Sequence, residues 1–364
     1  VSSSHSIIGR AATVSPPNRF ERLHVEDDYE QLAGDDELYA FAAGHAEQRV
    51  KTEFYADATQ TILATNDSPD VPFDFSANPY RGCEHGCAYC FARPSHEYLG
   101  FNAGIDFETR IMIKLEAAKL LRAELNKPSW KGSLIALSGV TDCYQPAERK
   151  FRLTRGLLEV MLEAKQATTI ITKNALVARD IDLLAPLASE SLVHVNVSIT
   201  TLDAELARTL EPRTSTPAAK LAAIRKLAAA GIPVRVMVAP IIPGLTDHET
   251  PKILEAAAEA GAISASFVLL RLPLAVKPIF LDWLAVYRPD RRDKVEGLIR
   301  DTRDGALYQA EWKTRQRGTG AYAEQIEQSF GVFRRKFGLD RKLPDYDFSK
   351  FTPPQGASGQ MRLF

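Results

Sequence analysis

No stretch of this 364-residue chain stays apolar for the roughly 18 to 20 residues that a helix needs to cross a bilayer. The most apolar window, 263–276, is broken by Ser264, Ser266, Arg271 and Pro273. An excess of either charge is also missing. Lys plus Arg total 45 and Asp plus Glu 46, a net charge of −1, which excludes a globally basic nucleic-acid coat but not a local basic patch. The first twenty residues lack the apolar core of a secretory signal. Neither GxGxxG nor GxxxxGK(S/T) occurs, which removes the dinucleotide fingerprint and the P-loop. Cysteine is scarce, with four in all, and three of them, Cys83, Cys87 and Cys90, fall within eight residues while Cys143 stands apart. So clustered a trio is not a disulfide framework. It reads as metal or redox chemistry in a reducing compartment, so the expected location is cytoplasmic, with no membrane partner.

What is present divides the chain. Between Glu21 and Glu47 there are nine acidic residues and one basic one, Arg22, so residues 1–70 read as an acidic, partly disordered N-terminal extension. From about residue 72, short β-branched runs alternate with amphipathic helices. Residues 133–138, 168–172, 193–199, 234–238 and 263–270 read as strands, and 73–80 is a candidate first strand. Residues 157–165, 180–187 and 216–230 read as helices, the last with Thr216 to cap it, Pro217 at its first position and Gly231 after its end. Strand starts every 25 to 40 residues give the βα period of a parallel sheet, and a barrel-like arrangement collects chemistry at the C-terminal strand ends. The fold class expected is α/β, a partial (βα)6 TIM-like barrel over 71–275. A C-terminal helical region over 276–351 follows, with helices at 279–300 and 322–336, and then a flexible tail at 352–364.

The decisive segment is NPYRGCEHGCAYCF, 78–91, with cysteines spaced C-x3-C-x2-C on a loop containing Gly82 and Gly86. Thiolates suit zinc or iron–sulfur clusters. Three can hold three corners of a four-iron cubane whose usual ligand count is four, leaving one iron open. Zinc held by the trio with His85 or His96 is the alternative, although no second knuckle of ligands exists. The spacing, with Tyr89 just before the third cysteine, resembles the radical S-adenosylmethionine superfamily. With the runs at 138–155, 172–174, 197–203, 210–217 and 238–247, the chain is similar to the bacterial branch related to spore photoproduct lyase and often labelled DNA repair photolyase-like.

That resemblance implies a [4Fe–4S] cluster on Cys83, Cys87 and Cys90 whose open iron takes S-adenosylmethionine. Reductive cleavage then yields a 5′-deoxyadenosyl radical that abstracts hydrogen from substrate. It implies a reduced electron donor of flavodoxin or ferredoxin type and a lyase acting on a pyrimidine photoproduct or other DNA lesion. Radical modification of a protein, RNA or metabolite is the alternative within enzymes, and a non-catalytic, metal-stabilised nucleic-acid- or clamp-binding protein the alternative outside them. Carried over by position, Tyr89, Ser138, Gly139, Lys173, Ser198 and Arg213 bind the cofactor, with Thr141 or Asp142 standing in for the family's acid after the second strand. Cys143, just past that strand, is the expected hydrogen-atom donor on the reactive rim, and Tyr144 and Glu148 share its segment. Between Lys313 and Lys342 there are eight basic residues against three acidic ones, interleaved with Tyr322, Phe330, Phe333 and Phe337, a candidate DNA-binding stripe. Gln360, Met361, Arg362, Leu363 and Phe364 resemble the Q-x-x-L-F peptide that binds the sliding clamp.

Overall fold

The computed structural model describes residues 9–20 and 50–354. Among the described residues there are ten strands: β1 (Glu53–Ala56), β2 (Leu63–Thr65), β3 (Phe75–Ala77), β4 (Tyr80–Arg81), β5 (Arg110–Ile113), β6 (Ile135–Leu137), β7 (Thr168–Thr172), β8 (Val193–Ser198), β9 (Val234–Ile241) and β10 (Ser264–Leu269). Seven of them form one sheet in the order β10-β9-β8-β7-β6-β3-β2. Six are parallel, and β2 is antiparallel to β3, with Leu63 opposite Ala77. A second, three-stranded sheet, β1-β5-β4, sits beside the first crossover. The large sheet does not close, because β10 and β2 are its two free edges.

Among the described residues, eight helices reach nine residues or more: α1 (Ala117–Leu125), α2 (Leu153–Glu163), α3 (Ile181–Ser189), α4 (Pro217–Ala229), α5 (Thr250–Glu259), α6 (Val276–Tyr287), α7 (Arg292–Asp301) and α8 (Gly320–Lys336). The expected strands and helices are found with ends shifted by a few residues, except that 73–80 is only β3 in the large sheet and the start of β4 in the small one. In α4 the Thr216 hydroxyl accepts from the Ala219 N–H at 3.3 Å, Pro217 opens the helix, and Gly231 follows at φ +74°. The single helix expected over 279–300 is two helices. Pro289 disfavours helical backbone at Arg288, which takes φ −144° and ψ 53°, and α6 stops there.

The sequence VHVNVS of β8 sorts the two faces of the sheet. Val193, Val195 and Val197 join the main apolar core beneath the helices. His194, Asn196 and Ser198 alternate onto the other face, where Asn196 donates to Thr169 Oγ1 at 2.8 Å. The inner face of β8 is therefore polar. Residues 339–354 run across the starts of the strands: Asp340 bridges Ser264, the Asp347 N–H donates to the Ser191 carbonyl and the Thr352 N–H to that of Ala164. Tyr346 reaches inside, its ring 4.2 Å from that of His194 and its hydroxyl bonded to Thr169. These residues floor the barrel.

The reading of residues 1–70 as an appended extension is corrected for the part that is described. Strand β1 pairs with β5 and β2 with β3, and Arg10, Ala11 and Ala12 are buried. The acidic stretch at 21–47 lies outside the described residues, as does the clamp-like peptide Gln360 to Phe364. In the basic segment, Phe330 packs into the core against Phe267 and the Tyr322 hydroxyl donates to Asp247. Phe333 and Phe337 stack on each other beneath Lys336. The interleaved aromatics thus serve α8 packing instead of offering free stacking faces.

Candidate active site at the cysteine loop

The loop 82–91 leaves β4 and turns twice through left-handed glycines, Gly82 at φ +77° and Gly86 at φ +64°. A side chain at Gly86 would also bring its Cβ to 2.5 Å from Glu108 Oε2, so glycine is required there on two counts. Arg93, fully buried, holds the loop from behind. It donates to the carbonyls of Gly86 and Cys87 and to those of Ala103 and Gly104, and pairs with Glu108 at 2.5 Å. Glu108 also accepts from the Ala12 N–H at 3.0 Å, and Arg10 donates to the Glu108 carbonyl at 2.7 Å, so the N-terminal segment latches onto the same support. Helix α6 covers the other side, with Phe280 and Trp283 packed in one apolar cluster with Cys87, Ala88 and Tyr89.

All four cysteines are free thiols. Cys83 and Cys87 are buried and Cys90 is partly exposed. Burial pushes the thiols of Cys83, Cys87 and Cys90 up, so they become thiolates only against the charge of a bound metal. Among the described residues no three His, Cys, Asp or Glu side chains group tightly enough to hold one metal ion. Three thiolates at about 2.3 Å from one zinc stand within roughly 4 Å of one another. A cubane, gripped at separate corners, takes a wider footprint. His85 faces Asp142 at 3.4 Å and Asn174 at 3.1 Å, and His96 is stacked on Phe101, so neither turns to complete a zinc set. The donor set fits a cluster with one unligated corner, and such a cluster, when bound, supplies an electron and an open iron.

Around the loop, strand ends bring together most of the residues singled out from sequence. Asn78, in the cysteine run, donates to the Ser138 carbonyl at 3.2 Å and to Thr141 Oγ1 at 2.8 Å. Ser138 and Gly139 both have positive φ, 98° and 70°, so the chain turns sharply after β6 where the family's glycine pair would stand. Asp142 ties three elements together, accepting from the Lys173 N–H at 2.7 Å and the Thr172 hydroxyl at 2.8 Å while facing His85. Ser198 ends β8 on the polar inner face. Arg213 points at the loop but pairs with Glu84 at 2.9 Å, and its N–H donates to the His85 carbonyl.

Glu211, two residues before Arg213, is the group that sequence reading missed. It is buried and accepts from Thr200 at 2.6 Å and from the Tyr89 hydroxyl, with Lys173 at 3.1 Å and Lys220 at 2.8 Å. Burial alone would raise its carboxyl pKa, but the two ammonium groups hold it well below the carboxylate range. Burial and Lys173 lower the Lys220 pKa, against the pull of Glu211. Lys220 carried no signal as one polar position on α4. Lys173 also donates to Thr200 at 3.0 Å and to the Ala239 carbonyl at 2.7 Å, and lies over the Tyr89 ring. Tyr89 and Lys173 are thereby fixed beside the cysteines before any ligand arrives.

Cys143 does not reach the rim. It is fully buried in the main apolar core, its N–H donates to Ser138 Oγ at 3.1 Å, and burial pushes its thiol well up. Tyr144 and Glu148 are likewise buried in structural bonds. The Tyr144 hydroxyl donates to Asp180 at 3.0 Å, and Glu148 accepts from Tyr80 at 2.5 Å and from Arg179 at 2.8 Å.

Among the described residues no helix is long and apolar enough to cross a membrane. Residues 77–257 match the Radical SAM superfamily. The uncharacterized protein Rv2578c of Mycobacterium tuberculosis (strain ATCC 25618 / H37Rv) is 41% identical over 232 residues, covering 63% of this chain and 68% of that protein. The uncharacterized protein MJ0683 of Methanocaldococcus jannaschii is 31% identical over 172 residues, 47% of this chain and 62% of that one. Among solved structures, spore photoproduct lyase complexed with dinucleoside spore photoproduct aligns at a TM-score of 0.54 and 16% identity, over 78% of this chain and 79% of that one. The mostly parallel open sheet is the partial barrel expected from the sequence. The chain belongs to the radical SAM superfamily, whose cofactors are a [4Fe–4S] cluster and S-adenosylmethionine.

Proposed function

We propose that this radical SAM enzyme acts on a lesion in DNA, a pyrimidine photoproduct being the first substrate to try. The observation that carries the reading is the half-exposed ring of Phe91 directly after Cys90, with the Arg271 guanidinium 5.4 Å from its centroid, which offers a stacking face and a cation to a base and its phosphate beside the cysteine loop. The fold shared with spore photoproduct lyase over 78% of the chain supports it. In this reading Cys83, Cys87 and Cys90 hold the cluster. Tyr89, Ser138, Gly139, Thr141, Lys173 and Ser198 would line the S-adenosylmethionine side, and the Lys173 ammonium and the Arg213 guanidinium, now paired with Glu211 and Glu84, are the cations that would meet its carboxylate. Glu211 and Lys220 position Tyr89 and Lys173. A reduced donor of flavodoxin or ferredoxin type supplies the electron. The buried Cys143 takes no part as hydrogen-atom donor.

The test is anaerobic reconstitution with iron, sulfide and reductant, then measurement of 5′-deoxyadenosine with ultraviolet-damaged and undamaged oligonucleotides. The expected result is 5′-deoxyadenosine from the wild type and none from Cys87→Ala, with loss of the lesion from damaged DNA. Cleavage of S-adenosylmethionine with every lesion left intact would overturn the DNA reading.

A further inference from the structure

The two free edges of the sheet are tied across the open side of the barrel. Asp70, in the loop between β2 and β3, accepts from the Lys313 N–H at 2.6 Å and pairs with Arg315. Arg315 belongs to the short helix Thr314–Arg317, which follows α7 and packs against β10. Next to this tie lie two large aromatic faces that nothing in the fold buries. Phe91, directly after Cys90, is 48% exposed, and Trp312 is 47% exposed. Each ring carries a guanidinium: Arg271 stands 5.4 Å from the Phe91 centroid and Arg315 5.5 Å from that of Trp312. Arg271 forms no ion pair among the described residues, and its Nε is buried with no acceptor. Lys313 and Arg317 are exposed on the same segment, where Asp70 pairs with Arg315 and Glu327 stands 4.0 Å from Arg317.

Exposed aromatic rings beside guanidinium groups, one of them the unpaired Arg271, suit one class of ligand. Bases stack on such rings whatever their sequence, and guanidinium groups bind phosphates. We propose that this lip, Phe91, Arg271, Trp312 and Arg315, binds a single-stranded or locally unpaired segment of nucleic acid and feeds a base toward the cysteine loop. The inference rests on the DNA reading above and gives it a surface. An acidic peptide would use the cations but leave both rings without a reason to be exposed. The surface is distinct from α8, whose aromatics are already packed.

The experiment is fluorescence anisotropy of a labelled single-stranded oligonucleotide with the full chain, without reductant or S-adenosylmethionine, across a salt series. Trp312→Ala is expected to weaken binding by about ten-fold or more, the loss of one stacked base. Arg271→Gln is expected to reduce the slope of log affinity against log salt by about 1. Duplex of the same sequence is expected to bind more weakly. Unchanged binding in both variants, or loss of binding only in Arg335→Gln/Lys336→Gln on α8, would overturn the lip as the site. Because no turnover is involved, lip binding without lesion repair would sink the lesion assignment and leave this proposal standing.

Discussion

Arg93 is the residue on which the cysteine loop hangs, since one guanidinium satisfies four loop and neighbouring carbonyls and neutralises a buried carboxylate. Replacing it with methionine leaves Glu108 charged and unpaired inside the protein, a loss of about 3–5 kcal/mol. Arg93→Met should show a lower denaturant midpoint and less iron bound per chain after reconstitution. The Glu211 pair makes a pH prediction. Its carboxyl is depressed below the ordinary value of 4.5, so it stabilises the fold above that value and loses the contribution as the pH falls further. Removing one cation in Lys220→Met raises that carboxyl toward the ordinary value, so acid unfolding should begin at a higher pH than in the wild type. Both residues show what a single chain hides. Arg93 stands three residues after Cys90 and looks like any surface arginine, and Lys220 like any solvated helix position. The carboxylates they pair with stand 15 and 9 residues away in sequence, which no local spacing reveals.

Among elements, the strands were legible and the connections were not. The β-branched runs of β7 and β8 announce themselves because buried parallel strands need such side chains on the core face. The division at residue 70 failed because β1 and β2 are three or four residues long and partly exposed, too short for a periodic signal. Cys143 was misplaced by counting from a strand end, whereas the Ser138–Gly139 turn folds the following segment back into the core. The latch and the floor can be tested as elements. Arg10→Ala removes hydrogen bonds to the Glu108 carbonyl and to Thr52, and should lower the melting temperature and speed cluster loss in air. At the floor, burial and Arg235 lower the His194 pKa to about 4 from 6.5. The unfolded chain takes up that proton first, so the melting temperature should fall as the pH drops from about 6.5 to about 4. His194→Asn should flatten part of that slope.

At the scale of the whole molecule, the open barrel has one side tied at Asp70 and one end floored by residues 339–354. Asp70→Asn should speed hydrogen exchange at residues 66–72 and 312–317 while leaving the melting temperature nearly unchanged, because the tie joins edges and not the core. The superfamily and its cofactors were legible from one fourteen-residue run, since metal chemistry depends on a few residue types at fixed spacing. The proposed lip was legible only in part: the basic run at 313–342 contains Lys313 and Arg315, but Phe91 and Trp312 come together across more than two hundred residues, which no local pattern reveals. The floor also fixes an order of events in the cell. Residues 339–354 leave the ribosome long after the cysteines, on the order of tens of seconds at roughly 5–20 residues per second. Until they do, the barrel has no base, and Tyr346 is not yet there to cover His194. The inner face of β8 therefore stays open for most of synthesis and is sealed by one of the last described segments to emerge.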